Sequence, residues 1–163
     1  MSRLAILAGF GGLPRRLSEL HGDAVQISFA GVPHDLGADA QEHSFEKMGA
    51  LFGALKEQGV SEVVMAGAMS RPPLDPTAFD DVMSALAPRL LAAMQGGDDA
   101  LLRLVITIFE EQGFTVRGAH ELDTSLTVAS GVLTGDPLSA QTQADADRAT
   151  DILSALSPLQ LPQ

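Results

Sequence analysis

A glycine-rich turn is the first feature of this sequence that could bind a ligand. Gly9, Gly11 and Gly12 directly follow a short apolar run, Arg3–Ala8, and precede a helical pattern. Glycines at such a point permit a tight turn and a close backbone approach, and the free amides of the helix N-terminus attract a phosphate. The pattern is not a complete dinucleotide fingerprint, because Pro14 replaces the third glycine. The turn therefore predicts a phosphate site, and the alternative is a turn that only packs the helix on the sheet.

A second loop carries an arginine at the same predicted edge. Residues 66–73 follow a β-branched central strand, and Arg71 is held between Ser70 and two prolines, Pro72 and Pro73. A guanidinium fixed at the carboxyl end of a parallel strand can bind a phosphate through two parallel hydrogen bonds. The alternative is a surface arginine in an acidic protein.

Two further groups could contact a ligand. Asp98 and Asp99 are adjacent carboxylates of the kind that hold Mg²⁺ together with substrate phosphates. Their structural alternative is that Asp98 caps a helix and Asp99 pairs with Arg103 four residues later. His120 follows the last predicted strand and would lie at the ligand edge, or it serves as a hydrogen-bonded loop residue.

Composition excludes several classes of function. The 163 residues include 10 Lys plus Arg against 21 Asp plus Glu, and a net charge of −11 disfavours binding to nucleic acid. Cysteine is absent, which excludes thiolate catalysis and Cys-ligated metals. Phe29, Ala30 and Gly31 stand where a dehydrogenase carries its ribose-binding acid, so NAD is disfavoured, although Asp35 lies nearby. No apolar run approaches the ~20 residues of a spanning helix, and we expect a cytoplasmic protein with at most peripheral membrane contact.

The elements that position these residues alternate between strands and helices. Apolar runs predict four strands, at 3–8, 24–29, 62–65 and 114–117. Apolar residues at helical spacing predict helices over 48–55, from Asp75-Pro76 to Pro88 with a second piece to Met94, over 100–112 and over 138–156. The 100–112 helix is apolar around most of its circumference and should lie deep between layers.

This alternation is typical of an α/β protein. We predict a Rossmann-like three-layer sandwich with a mostly parallel sheet and helices on both faces. The composition changes beyond Gly131. We therefore expect a Rossmann-like domain over residues 1–135, and a helix and linker leading to a second domain over 136–163.

Taken in order, five segments resemble the LpxI family of UDP-2,3-diacylglucosamine pyrophosphatases, which act in Gram-negative lipid A synthesis. The segments are Ala8–Pro14, Val64–Pro72, Gly97–Arg103, Phe109-Glu110 taken together with Gly113-Phe114, and Gly118–Glu121. The resemblance implies Mg²⁺-dependent hydrolysis of UDP-2,3-diacylglucosamine to UMP and 2,3-diacylglucosamine 1-phosphate. Ligand contacts are then expected at Gly9, Gly11, Gly12, Arg71, Asp98, Asp99, Arg103 and His120.

Family members are about twice as long and carry an acidic Glu-Gly-Thr-Asp motif in a second domain. We therefore expect the metal site and the catalytic half outside this chain, and this chain alone to be inactive. The resemblance also allows peripheral contact with the inner membrane and a homo-oligomer. The alternative is a stand-alone module that binds a nucleotide or sugar phosphate without chemistry, since the predicted layers suffice for a core.

Overall fold

The computed structural model describes residues 2–69, 73–129, 131–132 and 134–156. It contains a five-stranded sheet with the order β3-β2-β1-β4-β5, and every pairing between neighbouring strands is parallel. The strands are β1 Arg3–Ala8, β2 Val25–Phe29, β3 Gln41–His43, β4 Val60–Ala66 and β5 Thr115–Arg117. The α-helices within these described residues are α1 Gly12–Leu20, α2 Met48–Glu57, α3 Asp81–Gln95, α4 Asp98–Glu111, α5 Ala119–Leu122 and α6 Ala140–Leu156. This arrangement confirms the predicted α/β Rossmann-like fold.

Two apolar cores lie on opposite faces of the sheet. Successive side chains of a strand point to opposite faces, and β1 divides accordingly. Ala5 and Leu7 belong to a core with α2, α3 and α4, whereas Leu4 and Ile6 belong to a second core with α1 and α5. Because both faces are covered, the central strands read as continuous apolar runs.

The chain divides into two compact units, Met1–Leu126 and Thr127–Gln163. The first unit contains the whole sheet and both cores. The described part of the second unit contains α6, which has no buried residue.

The sequence placed the start of α3 wrongly. Asp75 does accept a hydrogen bond from the Thr77 amide, at 2.9 Å, but it opens only a 3₁₀ turn. The helix itself begins at Asp81, where the Asp80 carboxylate accepts the Met83 amide at 2.7 Å. A second Asp80 oxygen accepts the Gly49 amide at 2.7 Å, so one carboxylate satisfies the N-termini of α2 and α3. That second bond joins positions 31 residues apart, which local spacing does not reveal.

Four other features differ from what the sequence predicts. Pro88 neither ends nor divides α3, which continues to Gln95 as one helix. Asp98 is the first residue of α4 and not its cap, which is Gly97. The edge strand β3 was not predicted, because its sequence Gln-Glu-His lacks an apolar run. The α4 helix also does not lie deep between layers, since it buries only Ile108 and Phe109.

Candidate functional site

The candidate site lies where the strand order of the sheet reverses. The chain proceeds outward from β1 to β2 and β3 on one side, and then returns to β4 and β5 on the other. In open α/β sheets the loops that leave the two strands at this switch point diverge, and ligands bind in the crevice outside the carboxyl ends. The loops that leave β1 and β4 here are the two glycine-containing segments that the sequence singled out.

The first contact at this edge joins the two loops through their backbones. The Gly9 amide donates to the Ala66 carbonyl at 2.7 Å, and Phe10 and Ala68 exchange two hydrogen bonds of 2.6 and 2.8 Å. A Cβ at Gly9 would overlap the Ala68 carbonyl group. Gly67 has φ +90°, and a Cβ there would lie 2.7 Å from the Phe10 carbonyl oxygen. Gly9 therefore packs the two loops against each other, and the predicted ligand contact at Gly9 stays a prediction.

The adjacent turn is open. Gly11 has φ +110° and stands at the N-cap of α1, where it offers no side chain to the first amides of the helix. A Cβ at Gly11 or at Gly12 would meet no other atom within 4 Å. The first helical amides have no acceptor within their own helix, and the helix dipole favours an anion beside them. This geometry suits a phosphate that approaches the backbone.

The other predicted contacts divide between described and undescribed residues. Arg71 lies outside the described residues. Asp99 and Arg103 form an ion pair of 2.7 Å in which both side chains are 77% exposed, as the structural alternative for Asp99 predicted. Hydrogen bonding to Asp99 raises the pKa of Arg103 above its ordinary value. Asp98 lines a cavity beside Gly67, so the N-terminus of α4 reaches the loop that follows β4.

His120 is exposed on the short helix α5, which follows β5. Arg117 fixes this helix, because its guanidinium donates to Glu62 at 2.8 Å and to Glu121 at 2.6 Å. The bond from Arg117 lowers the pKa of the Glu121 carboxyl. The ring of His120 folds back against Gly118, where a Cβ would lie 2.8 Å from Nδ1. The structure therefore places His120 beyond the carboxyl end of β5.

Helix α1 is anchored to the segment after α5 by a nearly buried carboxylate. Asp123 accepts hydrogen bonds from Arg16 at 2.5 Å and from the Ser125 hydroxyl at 2.6 Å. The bonds from Ser125 and Arg16 hold the pKa of Asp123 below its ordinary value. Sequence reasoning missed this group, because 107 residues separate the two partners of the ion pair.

Comparison with known proteins places these features in one family. The LpxI N-terminal domain family matches residues 3–126, which contain the whole sheet and its glycine loops. The chain belongs to the LpxI family. The chain is 35% identical to the UDP-2,3-diacylglucosamine pyrophosphatase LpxI of Caulobacter vibrioides over 172 aligned positions. The alignment covers the entire chain and 60% of that protein. The family resemblance inferred from the five sequence segments is thereby confirmed.

Among the described residues of this LpxI domain, no three His, Cys, Asp or Glu side chains lie close enough together to hold a metal ion. Of the adjacent pair considered from the sequence, Asp99 already binds Arg103. Magnesium binding by Asp98 and Asp99 together with substrate phosphates stays a prediction.

An apolar cavity in the LpxI domain was not predicted. Its volume is about 460 Å³, and it lies between the sheet, α3 and α4. Five of the six methionines of the chain line it, namely Met48, Met65, Met69, Met83 and Met94. These methionines come from α2, from β4 and the loop after it, and from α3, so only the fold brings them together.

Within the described part of the chain, none of the helices combines the length and the apolar composition needed to cross a bilayer.

Proposed function

We propose that this chain is the substrate-binding N-terminal part of a UDP-2,3-diacylglucosamine pyrophosphatase of lipid A synthesis. The reaction adds one water across the diphosphate and releases UMP and 2,3-diacylglucosamine 1-phosphate. The observation that carries this proposal is the open Gly11–Gly12 turn at the switch point of the sheet, in a chain related to an LpxI pyrophosphatase. The stand-alone binding module considered from the sequence is not favoured by this relationship.

In this proposal the domain binds the diphosphate and does not activate the water. The first amides of α1 and its helix dipole stabilise the phosphate oxygens, and no side chain at Gly11 or Gly12 obstructs their approach. Arg71, in the loop after β4, adds a guanidinium. Asp98, Asp99 and Arg103 at the start of α4 and His120 after β5 complete the proposed contacts with the UDP-sugar. The two carboxylates would face its hydroxyl groups, because they repel the diphosphate.

The proposed catalytic group is supplied by the longer protein. The chain spans 60% of the length of its Caulobacter relative, and the described residues offer no set of metal ligands. We therefore assign the Mg²⁺, which would screen the diphosphate charges and polarise the phosphorus, to residues outside this set. The proposed boundary follows the notable change in composition, with residues 1–135 as the binding domain and 136–163 as a helix and linker towards the second domain.

The cellular setting belongs to the same proposal. A diacylated substrate is held at a membrane surface, so we place the enzyme in the cytoplasm of a Gram-negative bacterium, in peripheral contact with the inner membrane. A homo-oligomer is compatible with this arrangement.

Turnover and binding test the proposal separately. The 163-residue protein should bind UDP-2,3-diacylglucosamine in calorimetry yet release almost no UMP in the presence of Mg²⁺. The matching protein of full family length should release UMP under the same conditions. UMP release by the short chain at a comparable rate would contradict the assignment of catalysis to the longer protein. If neither protein bound UDP-2,3-diacylglucosamine, the assigned substrate would be wrong.

A further inference from the structure

Phe10 is an exposed aromatic residue beside the candidate site. The chain has seven phenylalanines and no tryptophan or tyrosine, and all seven lie within the described residues. Phe10 is 61% exposed, whereas the other six are buried or half-buried. Five of those six pair with another aromatic ring, namely Phe29, Phe45, Phe52, Phe109 and Phe114. The most accessible aromatic face of the domain therefore lies at the glycine turn.

The usual packing role of an apolar residue at this position is not filled. Phe10 precedes Gly11, the N-cap of α1, and an apolar residue there often packs against the fourth residue of the helix. The fourth residue of α1 is Arg15, which is 66% exposed and pairs with Glu19 at 3.0 Å. The helix thus offers no apolar partner at that position, and this form of packing does not explain the phenylalanine.

The backbone of Phe10 is held in place although its ring is exposed. Its amide donates to the Ala68 carbonyl at 2.6 Å, and its carbonyl accepts the Ala68 amide at 2.8 Å. This pair of hydrogen bonds fixes the point from which the side chain leaves the loop. A ligand that packs on the ring therefore does not have to order the chain first, which lowers the entropic cost of binding.

The position of Phe10 restricts the kind of ligand that would cover its ring. Consecutive Cα atoms lie about 3.8 Å apart, so Phe10 is next to the N-terminus of α1, which favours an anion. In a nucleotide a single ribose joins the base to the first phosphate. A nucleotide whose phosphate approaches the amides of α1 therefore has its base within reach of this ring.

The neighbours of Phe10 favour the base over a sugar ring. Gly9, Gly11 and Ala68 have no side-chain donor or acceptor, so the hydroxyl groups of a sugar would gain no hydrogen bond from these side chains. A nucleobase needs only a flat aromatic face, and its polar edge can stay in water.

We propose that Phe10 stacks on the uracil base of the UDP-sugar while the glycine turn binds its diphosphate. The inference rests on the proposed function for the identity of the nucleotide. Stacking on phenylalanine does not distinguish one pyrimidine from another, so Phe10 supplies affinity and orientation and leaves the choice of uracil to other groups. CMP should then lose as much affinity as UMP when the ring is removed.

Two ligands that differ only in the base provide the first test. Phe10→Ala should weaken the Kd for UMP by roughly fivefold or more in calorimetry, because the stacked base loses its platform. The Kd for ribose 5-phosphate, which has no base, should not change. Leu20→Ala is the matched control, since Leu20 is 56% exposed at the other end of α1, and it should leave both constants unchanged.

Three calorimetric results would overturn the proposal. They are an equal loss of affinity for UMP and ribose 5-phosphate, an absence of UMP binding by the unmodified protein, and a loss confined to glucosamine 1-phosphate. The last result would assign the ring to the sugar.

A fluorescence reporter supplies a second measurement if Phe10→Ala lowers the melting temperature. Because the sequence contains no tryptophan, Phe10→Trp introduces a single indole that keeps an aromatic face at this position. Leu20→Trp introduces the same indole at the other end of α1. The bromine of 5-bromo-UMP quenches an indole that it contacts, so we expect quenching of the first reporter at least fivefold stronger than that of the second. Equal quenching of both reporters would contradict stacking at Phe10.

These ligands also separate the inference from the proposed function. Suppose that Phe10→Ala weakens UMP binding, yet the protein of full family length releases no UMP from UDP-2,3-diacylglucosamine. Stacking at Phe10 would then stand and the pyrophosphatase assignment would be wrong. UMP release by that protein, together with a Kd for UMP that Phe10→Ala does not change, would support the pyrophosphatase and overturn the stacking.

Discussion

Two pairs of glycines at the same sheet edge differ in what surrounds them. Gly9 and Gly67 lie against each other's loops, so that a Cβ on either would overlap backbone atoms. Gly11 and Gly12, two and three positions further along, face open space. A single glycine-rich sequence therefore contains one residue that holds two strands' loops together and two that leave a helix N-terminus accessible. Motif spacing does not separate these roles, because the distinction depends on a loop more than 50 residues away.

The largest loss of stability should come from a substitution in the packed pair, Gly9 and Gly67. Gly67→Ala requires a left-handed backbone at an alanine and brings its Cβ to 2.7 Å from the Phe10 carbonyl oxygen. We expect the free energy of unfolding to fall by about 2–5 kcal/mol, from backbone strain together with overpacking. Denaturant titration measures this change.

A helical glycine provides the matched control. Gly53 lies within α2, and a Cβ there meets nothing within 4 Å. Gly53→Ala should leave stability unchanged or raise it by about 0.5–1 kcal/mol, because alanine favours the helix. If both alanine variants lost stability equally, the packed contact would have no special role.

Elements could be predicted from the sequence where local pattern determines them. The apolar run of β1 and the spacing of Met48, Leu51, Phe52 and Leu55 placed β1 and α2 correctly, because burial on one or two faces imposes those periods. The start of α3 was missed, because Asp75 and Asp80 are both good caps and the choice depends on a contact from Asp80 to α2.

The candidate site could be predicted only in part. The glycine turn and the Asp99–Arg103 pair follow from short-range spacing. The contact between Gly9 and the Gly67 loop, the anchor at Asp123 and the cavity all depend on pairs distant in the chain.

A substitution in the open pair, Gly11 and Gly12, should change ligand binding and not stability. Gly12 has no positive φ and begins α1, so Gly12→Ala should fold with an unchanged melting temperature. Its Cβ points towards the helix N-terminus, where the phosphate is proposed to lie. We expect the Kd for the UDP-sugar to weaken by roughly tenfold, corresponding to about 1.4 kcal/mol. Calorimetry measures this, and an unchanged Kd would contradict a phosphate bound against Gly12.

The anchor of α1 should have a smaller effect that depends on pH. The pKa of Asp123 is lower in the folded protein than in the unfolded chain, so its contribution to stability is complete above the unfolded pKa. It is lost as the pH falls through the lower, folded pKa. Asp123→Asn should therefore reduce the melting temperature at neutral pH. The difference from the unmodified protein should shrink as the pH falls below the ordinary Asp pKa of about 3.9 and vanish below the lower, folded pKa. If the two melting temperatures still differed in acid, the shape of the Asp123 side chain, and not its charge, would stabilise the contact.

The smallest effect should come from Arg103, at the N-terminus of α4. Its ion pair with Asp99 is largely exposed, so Arg103→Gln should not change the melting temperature measurably. If Arg103 also faces the bound diphosphate, the substitution should weaken the Kd by about two- to threefold at low salt, and ~0.5 M salt should remove the difference because exposed charges are screened.

Arg89 is the matched control, since it pairs with Glu111 through two hydrogen bonds of 2.8 and 2.9 Å near the opposite end of α4. Arg89→Gln should leave the Kd unchanged, and an equal loss in both variants would attribute the effect to net charge and remove Arg103 from the site.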